Sequence, residues 1–311
     1  MTQLASSSIF IPPHPLNTAV LFLVFNRLNT TEQVFEAIRE AKPPRLYIAA
    51  DGARPNIEGE AEKIEAVRDY IMQNIDWECE VKTLFRDENL GCKYAVSDAI
   101  TWFFENEAQG IILEDDCLPS QSFFWYCEDL LEQYKNDQRI FLISGYNKQN
   151  QWKIEDESYF FSNYGGIWGW ASWSRAWKHY DVDMKDIHEF MRKNNFVNLL
   201  GKRQGLQRQK MIFDSIIIKD INTWDYQWGY ARHKNNGLAC VPSMSLIENI
   251  GFGEDATNTS GVNTDNVSKH EISFPIKENR FVIPDRFYDD NFFKIEKIID
   301  RLLNKLKNFF L

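Results

Sequence analysis

Residues 110–116 read Gly-Ile-Ile-Leu-Glu-Asp-Asp, an apolar run that stops in three consecutive carboxylates. A short apolar run ended by charge predicts a strand buried on both faces, with its polar terminus at a sheet edge. Three adjacent carboxylates repel one another and are costly to bury unless a cation compensates them. A hard divalent ion that keeps positions open for phosphate oxygens needs only one or two protein carboxylates. The plain alternative is a solvated acidic turn. What stands on either side in the chain decides between the two.

Working outward from this stretch, strands and helices alternate. Residues 19–25 (AVLFLVF) read as a buried strand, 45–50 (RLYIAA) as a second, 79–85 as a third, and 139–143 as one beyond the acidic run. Between them, Thr30-Thr31-Glu32-Gln33 predicts a capping-box helix start with Val34, Phe35 and Ile38 on its apolar face. Residues 58–75 carry Ile64, Val67, Tyr70 and Ile71 at helical spacing, and Val96, Ala99, Ile100 and Phe103 mark another helix. Ser120 is expected to cap one more. This order predicts an α/β fold: a mainly parallel, Rossmann-like sheet flanked by helices. Ligands of such sheets bind at the carboxyl ends of the strands. The polar residues expected there are Asn26 and Arg27, Asp51, Arg86 with Asn89, and Glu114-Asp115-Asp116.

The second half changes character. Residues 164–173 (YGGIWGWASW) read as a pocket-lining loop, with Gly165 and Gly166 allowing close backbone approach and Trp168 and Trp170 offering flat faces for a sugar. An aromatic core beneath a loop is the competing reading. Helices are expected near 185–192 and 206–219, short strands near 238–241 and 245–248, and a loop over 249–263. Trp224-Asp225-Tyr226-Gln227-Trp228 sets one carboxylate among large aromatics. A carboxylate desolvated by such neighbours is suited to act as a base, and Asp225 is a candidate. A helix N-terminal Asp beside core aromatics would look the same.

Composition narrows the function classes. At 311 residues, with 44% hydrophobic and 26% charged side chains, one catalytic domain with extensions is expected. A net charge of −10 argues against nucleic acid as a partner. It does not exclude a nucleotide, because a bound divalent ion inverts the local field. Five cysteines without a Cys-x-x-Cys pair indicate neither a zinc site nor a disulfide framework. Residues 1–15 lack a signal-peptide pattern and no apolar run is long enough to span a bilayer, so a cytoplasmic location is expected.

These motifs, in this order, resemble those of the GT-A glycosyltransferases. Glu114-Asp115-Asp116 is similar to the Glu-Asp-Asp variant of the Asp-x-Asp motif in N-acetylglucosaminyltransferase I and related enzymes. Val24-Phe25-Asn26-Arg27, Asp51-Gly52 and Asn89-Leu90-Gly91 resemble bacterial family-2-like sugar transferases. The resemblance covers about residues 19–265. It implies a catalytic domain there, divided into a nucleotide-binding half (19–145) and an acceptor half (146–265), between an N-terminal extension (1–18) and a C-terminal one (266–311). It further implies an inverting, Mn²⁺- or Mg²⁺-dependent transferase that moves a sugar from a nucleotide-sugar donor, UDP-linked by family habit. The acceptor would be a glycan or lipid-linked glycan in bacterial surface glycan synthesis. By the same resemblance Asn26, Arg27 and Asp51 meet base and ribose, Arg86 faces the diphosphate or a neighbouring carboxylate, and Asn89 belongs to the nucleotide-sugar site. Glu114 and Asp115 then contact the ribose or order the site, Asp116 ligates the metal, and Asp225 is the base. Residues 251–258 resemble the loop that closes over the nucleotide, with Asn258 where the related pattern has a His.

Two rivals remain. A sugar-phosphate nucleotidyltransferase would need a glycine-rich loop after the first strand, and residues 26–30 (NRLNT) contain no glycine. A non-catalytic carbohydrate-binding relative would not need Glu114-Asp115-Asp116 and Asp225. Beyond the catalytic region, residues 291–311 form an apolar stripe at helical spacing with five basic against two acidic side chains. Such a helix suits peripheral docking on an anionic membrane, on the inner face where lipid-linked acceptors reside. Packing on the catalytic domain, or on a second subunit in a homodimer, is the alternative.

Overall fold

The first strand, β1 (Val20–Val24), is wholly buried, and so are most residues of the strands beside it. In the computed structural model, which describes residues 10–155, 157–252 and 267–292, the chain runs β1, α1 (Leu28–Ala41), β2 (Arg45–Ala50), α2 (Glu60–Asn74), β3 (Glu80–Phe85), α3 (Gly91–Asn106) and β4 (Gln109–Glu114). It continues through β5 (Cys117–Pro119), α4 (Ser122–Gln133), β6 (Ile140–Ser144), β7 (Tyr159–Ser162), β8 (Trp170–Trp173) and α5 (Ser174–Trp177). Helices α6 (Ile187–Arg192), α7 (Asn195–Leu200) and α8 (Lys202–Ile212) follow, then a π-helical turn (Phe213–Ile218), α9 (Asp225–Lys234), β9 (Leu238–Pro242) and β10 (Ile247–Asn249).

The central sheet has eight strands in the order β3-β2-β1-β4-β8-β6-β9-β7. Pairings among β3, β2, β1 and β4 are parallel, as is β6 with β9, whereas β8 and β7 run antiparallel to their neighbours. The α/β expectation of a mainly parallel sheet flanked by helices therefore holds. Strand side chains alternate between two apolar layers. Val20, Phe22 and Val24 pack with α1, α2 and α4 on one face, while Ala19, Leu21 and Leu23 pack with α3, α5 and α9 on the other. Burying a side chain such as Phe22 contributes about 1.5–3 kcal/mol, and both faces of four adjacent strands do so. A satellite core joins α6, α7 and α8 to Tyr230 of α9 through Ile187, Met191, Phe196 and Ile212.

Three local expectations need correction. Helix α1 begins at Leu28 with no side-chain cap, and the Thr31 hydroxyl donates to the Arg27 carbonyl at 2.7 Å inside the first turn instead. Ser120 does not cap α4. The Glu271 carboxylate accepts the N–H groups of Gln121 (3.0 Å) and Ser122 (2.8 Å), so that cap comes from a distant segment. Residues 164–173 are a loop only in part, because Trp170–Trp173 forms β8 in the middle of the sheet. Most of the expected tail helix (293–311) and most of the expected closing loop (253–266, including Asn258) lie outside the described residues. Among the described residues no helix is long and apolar enough to cross a membrane, and all five cysteines are free thiols.

Candidate functional site

Parallel register brings four strand ends to one rim. Leu23 pairs with Glu114, Val24 with Ala50, and Ala50 with Phe85, so the residues after each strand surround a common space. That space is a cavity of about 390 Å³ lined by Arg27, Asp51, Arg54, Arg86, Asn89, Glu114, Asp115, Asp116, Trp168, Thr223, Asp225 and Asn249, among others. Strand β8 explains why Trp168 belongs there and Trp170 does not. Because β8 runs antiparallel to β4 with Ile112 opposite Trp170, its start lies at the rim. Trp168 precedes the strand and reaches the cavity, where it packs against Tyr146 and Phe252. Trp170 is inside the strand, fully buried and stacked on Trp224.

The acidic run is nearly closed off from solvent. One nitrogen of the Arg27 guanidinium contacts Asp115 Oδ1 and, at 2.8 Å, Asp116 Oδ2. Glu114 Oε1 and Asp115 Oδ2 are buried without any hydrogen-bond partner. Burial, then the charges of Asp116, Asp115 and Asp225, pushes Glu114 well above the usual carboxylate range. Burial likewise raises Asp115 to about 6, with Arg27 pulling the other way. For Arg27 burial works against the charged form, but Asp115 and Asp116 outweigh it and hold the guanidinium above its ordinary value. One arginine thus faces Glu114, Asp115, Asp116 and the nearby Asp225, a surplus of negative charge that calls for further cations or protons. Among the described residues, no three His, Cys, Asp or Glu side chains converge as a metal cage. The orphaned oxygens and charge surplus fit a divalent ion anchored on one carboxylate, with ligand oxygens and water filling the remaining positions. The chain after β10 closes this corner: a Cβ on Gly251 would lie 2.2 Å from Asp116 Oδ2.

Asp51 lines the cavity, but its carboxylate is heavily engaged. It accepts the N–H groups of Gly52 (3.0 Å), Leu90 (3.0 Å) and Gly91 (2.9 Å), and the Asn89 amide (3.0 Å). It therefore caps α3 and pins the β2 and β3 loops together. Gly52 is required beside it, since a Cβ there would meet the Glu88 backbone at 2.5 Å. Arg86 lies 3.7 Å from Asp98 and faces the cavity, where it can meet an anion. Asn26 is not among the lining residues; its amide donates to Glu60 at 2.9 Å, in a clasp that also holds Arg54. Gly165 and Gly166 do not line the cavity either. Their close packing against Ala239 and Tyr146, at 2.6 Å from a would-be Cβ in each case, lets the segment before Trp168 lie flat on the sheet.

Asp225 opens α9, and its carboxylate accepts a short hydrogen bond from the Thr223 hydroxyl. Asn222 anchors this corner: its side-chain oxygen accepts the Lys93 N–H at 2.9 Å. Sequence reasoning missed Arg54, Asn222, Thr223 and Asn249 as cavity residues. Asn222-Thr223 ahead of an Asp-led helix was a readable capping signal; Arg54 and Asn249 carried none.

No protein-family model matches the sequence, and no curated protein matches it. Several solved structures overlap the chain loosely. The mannosyltransferase PcManGT from Pyrobaculum calidifontis, solved with GDP-Man and Mn²⁺, is 9% identical over 71% of this chain and 70% of that one, with a TM-score of 0.38. The glycosyltransferase GlyE from Streptococcus pneumoniae TIGR4 is 13% identical over 79% of this chain and 57% of that one, at 0.34. HddC from Yersinia pseudotuberculosis is 11% identical over 46% of this chain and 59% of that one, under two thirds of its length, at 0.28. At such identity and overlap, function rests on the site itself.

Proposed function

We propose that the protein is a glycosyltransferase of GT-A type, which moves a sugar from a nucleoside diphosphate to an acceptor hydroxyl with inversion, assisted by Mn²⁺ or Mg²⁺. One observation carries this reading: the carboxylates of Glu114, Asp115 and Asp116 and that of Asp225 line one cavity at the carboxyl edge of a parallel sheet, and Arg86 lines the same cavity. The donor's diphosphate lies towards Arg86 and Asp116, and Asp116 would hold the ion, which would supply positive charge against the departing diphosphate. Asp225 takes the proton of the acceptor hydroxyl as its oxygen attacks the anomeric carbon from the face opposite the leaving group. Trp168 offers a flat wall for the sugar ring. Arg27 orders Asp115 and Asp116 before the donor arrives, which limits reorganisation on binding. The catalytic region spans about residues 19–265, and the donor is a uridine diphosphate sugar.

A nucleotidyltransferase reading is disfavoured, because α1 starts directly after Arg27 with no glycine-rich loop to cradle a triphosphate. Release of free nucleoside diphosphate from a panel of nucleotide sugars, with and without Mn²⁺, tests the proposal. Pyrophosphate release from a nucleoside triphosphate and a sugar 1-phosphate would replace it with the rival.

A further inference from the structure

The π-helical turn after α8 reads Phe213-Asp214-Ser215-Ile216-Ile217-Ile218, and none of its residues is buried. Ile216 and Ile217 lean on the satellite core. Phe213 and Ile218 are 44% and 65% exposed among the described residues, and Leu206 and Ile221 on either side are exposed as well. Arg203, Leu206, Lys210 and Phe213 follow one another at steps of three and four, so they line one face of α8 and its continuation. The chain then folds back: the Ile221 N–H donates to the Ser215 carbonyl at 3.1 Å, which sets Ile221 beside the turn. Asn222 carries this surface to the mouth of the cavity, which it lines. Its side-chain oxygen holds the start of α3, where Leu90 and Tyr94 are again exposed. Single exposed apolar side chains are ordinary, but this many around one corner of a binding cavity mark an interaction surface.

Charge indicates what covers it. Residues 202–220 carry Lys202, Arg203, Arg208, Lys210 and Lys219 against Asp214 and Asp220, a local positive surplus in a chain of net charge −10. Lys202, Arg203, Lys210 and Lys219 are exposed, and Asp214 is already paired with Lys210 at 2.5 Å. A second copy of the chain is a poor fit, because a two-fold contact would set this basic surface against itself. An anionic bilayer suits both features: apolar side chains enter at the headgroup level while lysine and arginine meet lipid phosphates.

We propose that the outer face of α8, the π-helical turn and Ile221 together dock on an anionic lipid surface. Phe213, Ile218 and Ile221 enter the headgroup boundary, and Arg203 and Lys219 contact the lipid phosphates. The docking goes beyond the transferase reading and does not depend on it. Taken with that reading, it sets the mouth of the cavity at the membrane and makes the acceptor a lipid-linked one.

The test is co-sedimentation of the full chain with vesicles of phosphatidylcholine alone or mixed with phosphatidylglycerol, at low and high salt. Wild type is compared with Ile218→Ser/Ile221→Ser, with Lys219→Glu, and with Phe281→Ser/Phe287→Ser, which alters an exposed apolar pair on another segment. The expected result is binding of wild type to the anionic vesicles only, weakened by added salt. The isoleucine pair and Lys219→Glu should each weaken it by about tenfold or more, while the phenylalanine pair leaves it unchanged. Lys219→Glu removes no buried group, so it keeps the test decisive should the isoleucine variant fail to fold. Nucleoside diphosphate binding with Mn²⁺ is read separately, and its failure would count against the transferase and not against the docking. No binding by wild type, or equal binding to neutral vesicles, would overturn the proposal. Binding that persists in both variants would assign it to another surface, residues 291–311 included, with the same consequence. A wild-type dimer that the isoleucine variant turns into a monomer, read by sedimentation velocity, would give the face to a second copy instead.

Discussion

A single nitrogen of Arg27 bridges Asp115 and Asp116, 2.8 Å from Oδ2 of the latter, where β1 and β4 end side by side. The sequence separates these residues by almost ninety positions, and parallel pairing alone brings them together. The arginine is thus the resident counter-charge of the acidic run, and any divalent ion at Asp116 must share that carboxylate with it or displace it.

Arg27→Gln should therefore be costly in the metal-free protein. Removing one partner of a buried ion pair costs about 3–5 kcal/mol, which urea unfolding would read directly. Added Mn²⁺ with a nucleoside diphosphate should restore more stability to the variant than to wild type. A loss below about 1 kcal/mol, the range of a surface pair, would mean that the bridge has no structural role.

Asp225→Asn keeps the shape but cannot accept a proton, so turnover should fall by about 10²–10⁴. Donor affinity should stay unchanged, because the base acts on the acceptor. Affinity lost without loss of turnover at saturation would make Asp225 a binding residue. The anomeric configuration of the product, read by NMR, is an independent check: retention would contradict single displacement.

Gly251→Ala tests the corner over Asp116. The new methyl group would sit 2.2 Å from a carboxylate oxygen, and overpacking of this kind costs about 1–3 kcal/mol. Carried by Asp116, that weakens Mn²⁺-dependent nucleotide binding about tenfold or more. Unaltered affinity in the folded variant would show that the loop, not Asp116, gives way.

The legible part of this fold was the part written in local pattern. Residues 45–50 formed β2 as read, and Ile64, Val67 and Ile71 turned inward, because continuous apolar runs and helical spacing need no knowledge of distant partners. Trp170–Trp173 failed for the opposite reason. Its glycine-rich approach imitates a loop, and only insertion between β4 and β6 makes it a strand. Asp51-Gly52 was readable as a turn, but its role as the cap of α3 depends on residues 89–91 arriving beside it. The cap of α4 by Glu271 crosses 150 positions, beyond any capping rule. The acidic site was legible as charge, and its arginine partner only as a neighbour of a strand end.

His233 supplies a pH signature outside the site. Its Nε2 bonds the Asn163 carbonyl at 3.1 Å, and burial, aided by Arg208 and Arg232, holds the ring well below its ordinary value. The folded protein therefore carries it neutral, while the unfolded chain takes up a proton below about pH 6.5. Stability from this group is present above that pH and is lost as pH falls, by up to about 1.4 kcal/mol per pH unit. The unfolding free energy of wild type minus that of His233→Gln should fall from pH 7.5 to 5. A flat difference would mean that the imidazole titrates equally in both states.

The central claim, that the acidic rim of β4 holds a nucleotide sugar through an ion on Asp116, is tested most directly by one comparison. Release of nucleoside diphosphate from a nucleotide-sugar panel is measured for wild type and Asp116→Ala, with Mn²⁺ and after chelation. The account predicts that wild type hydrolyses at least one donor only when metal is present, and that folded Asp116→Ala does so at none of the metal concentrations used. Equal release by the two proteins, or release that survives chelation, would contradict it.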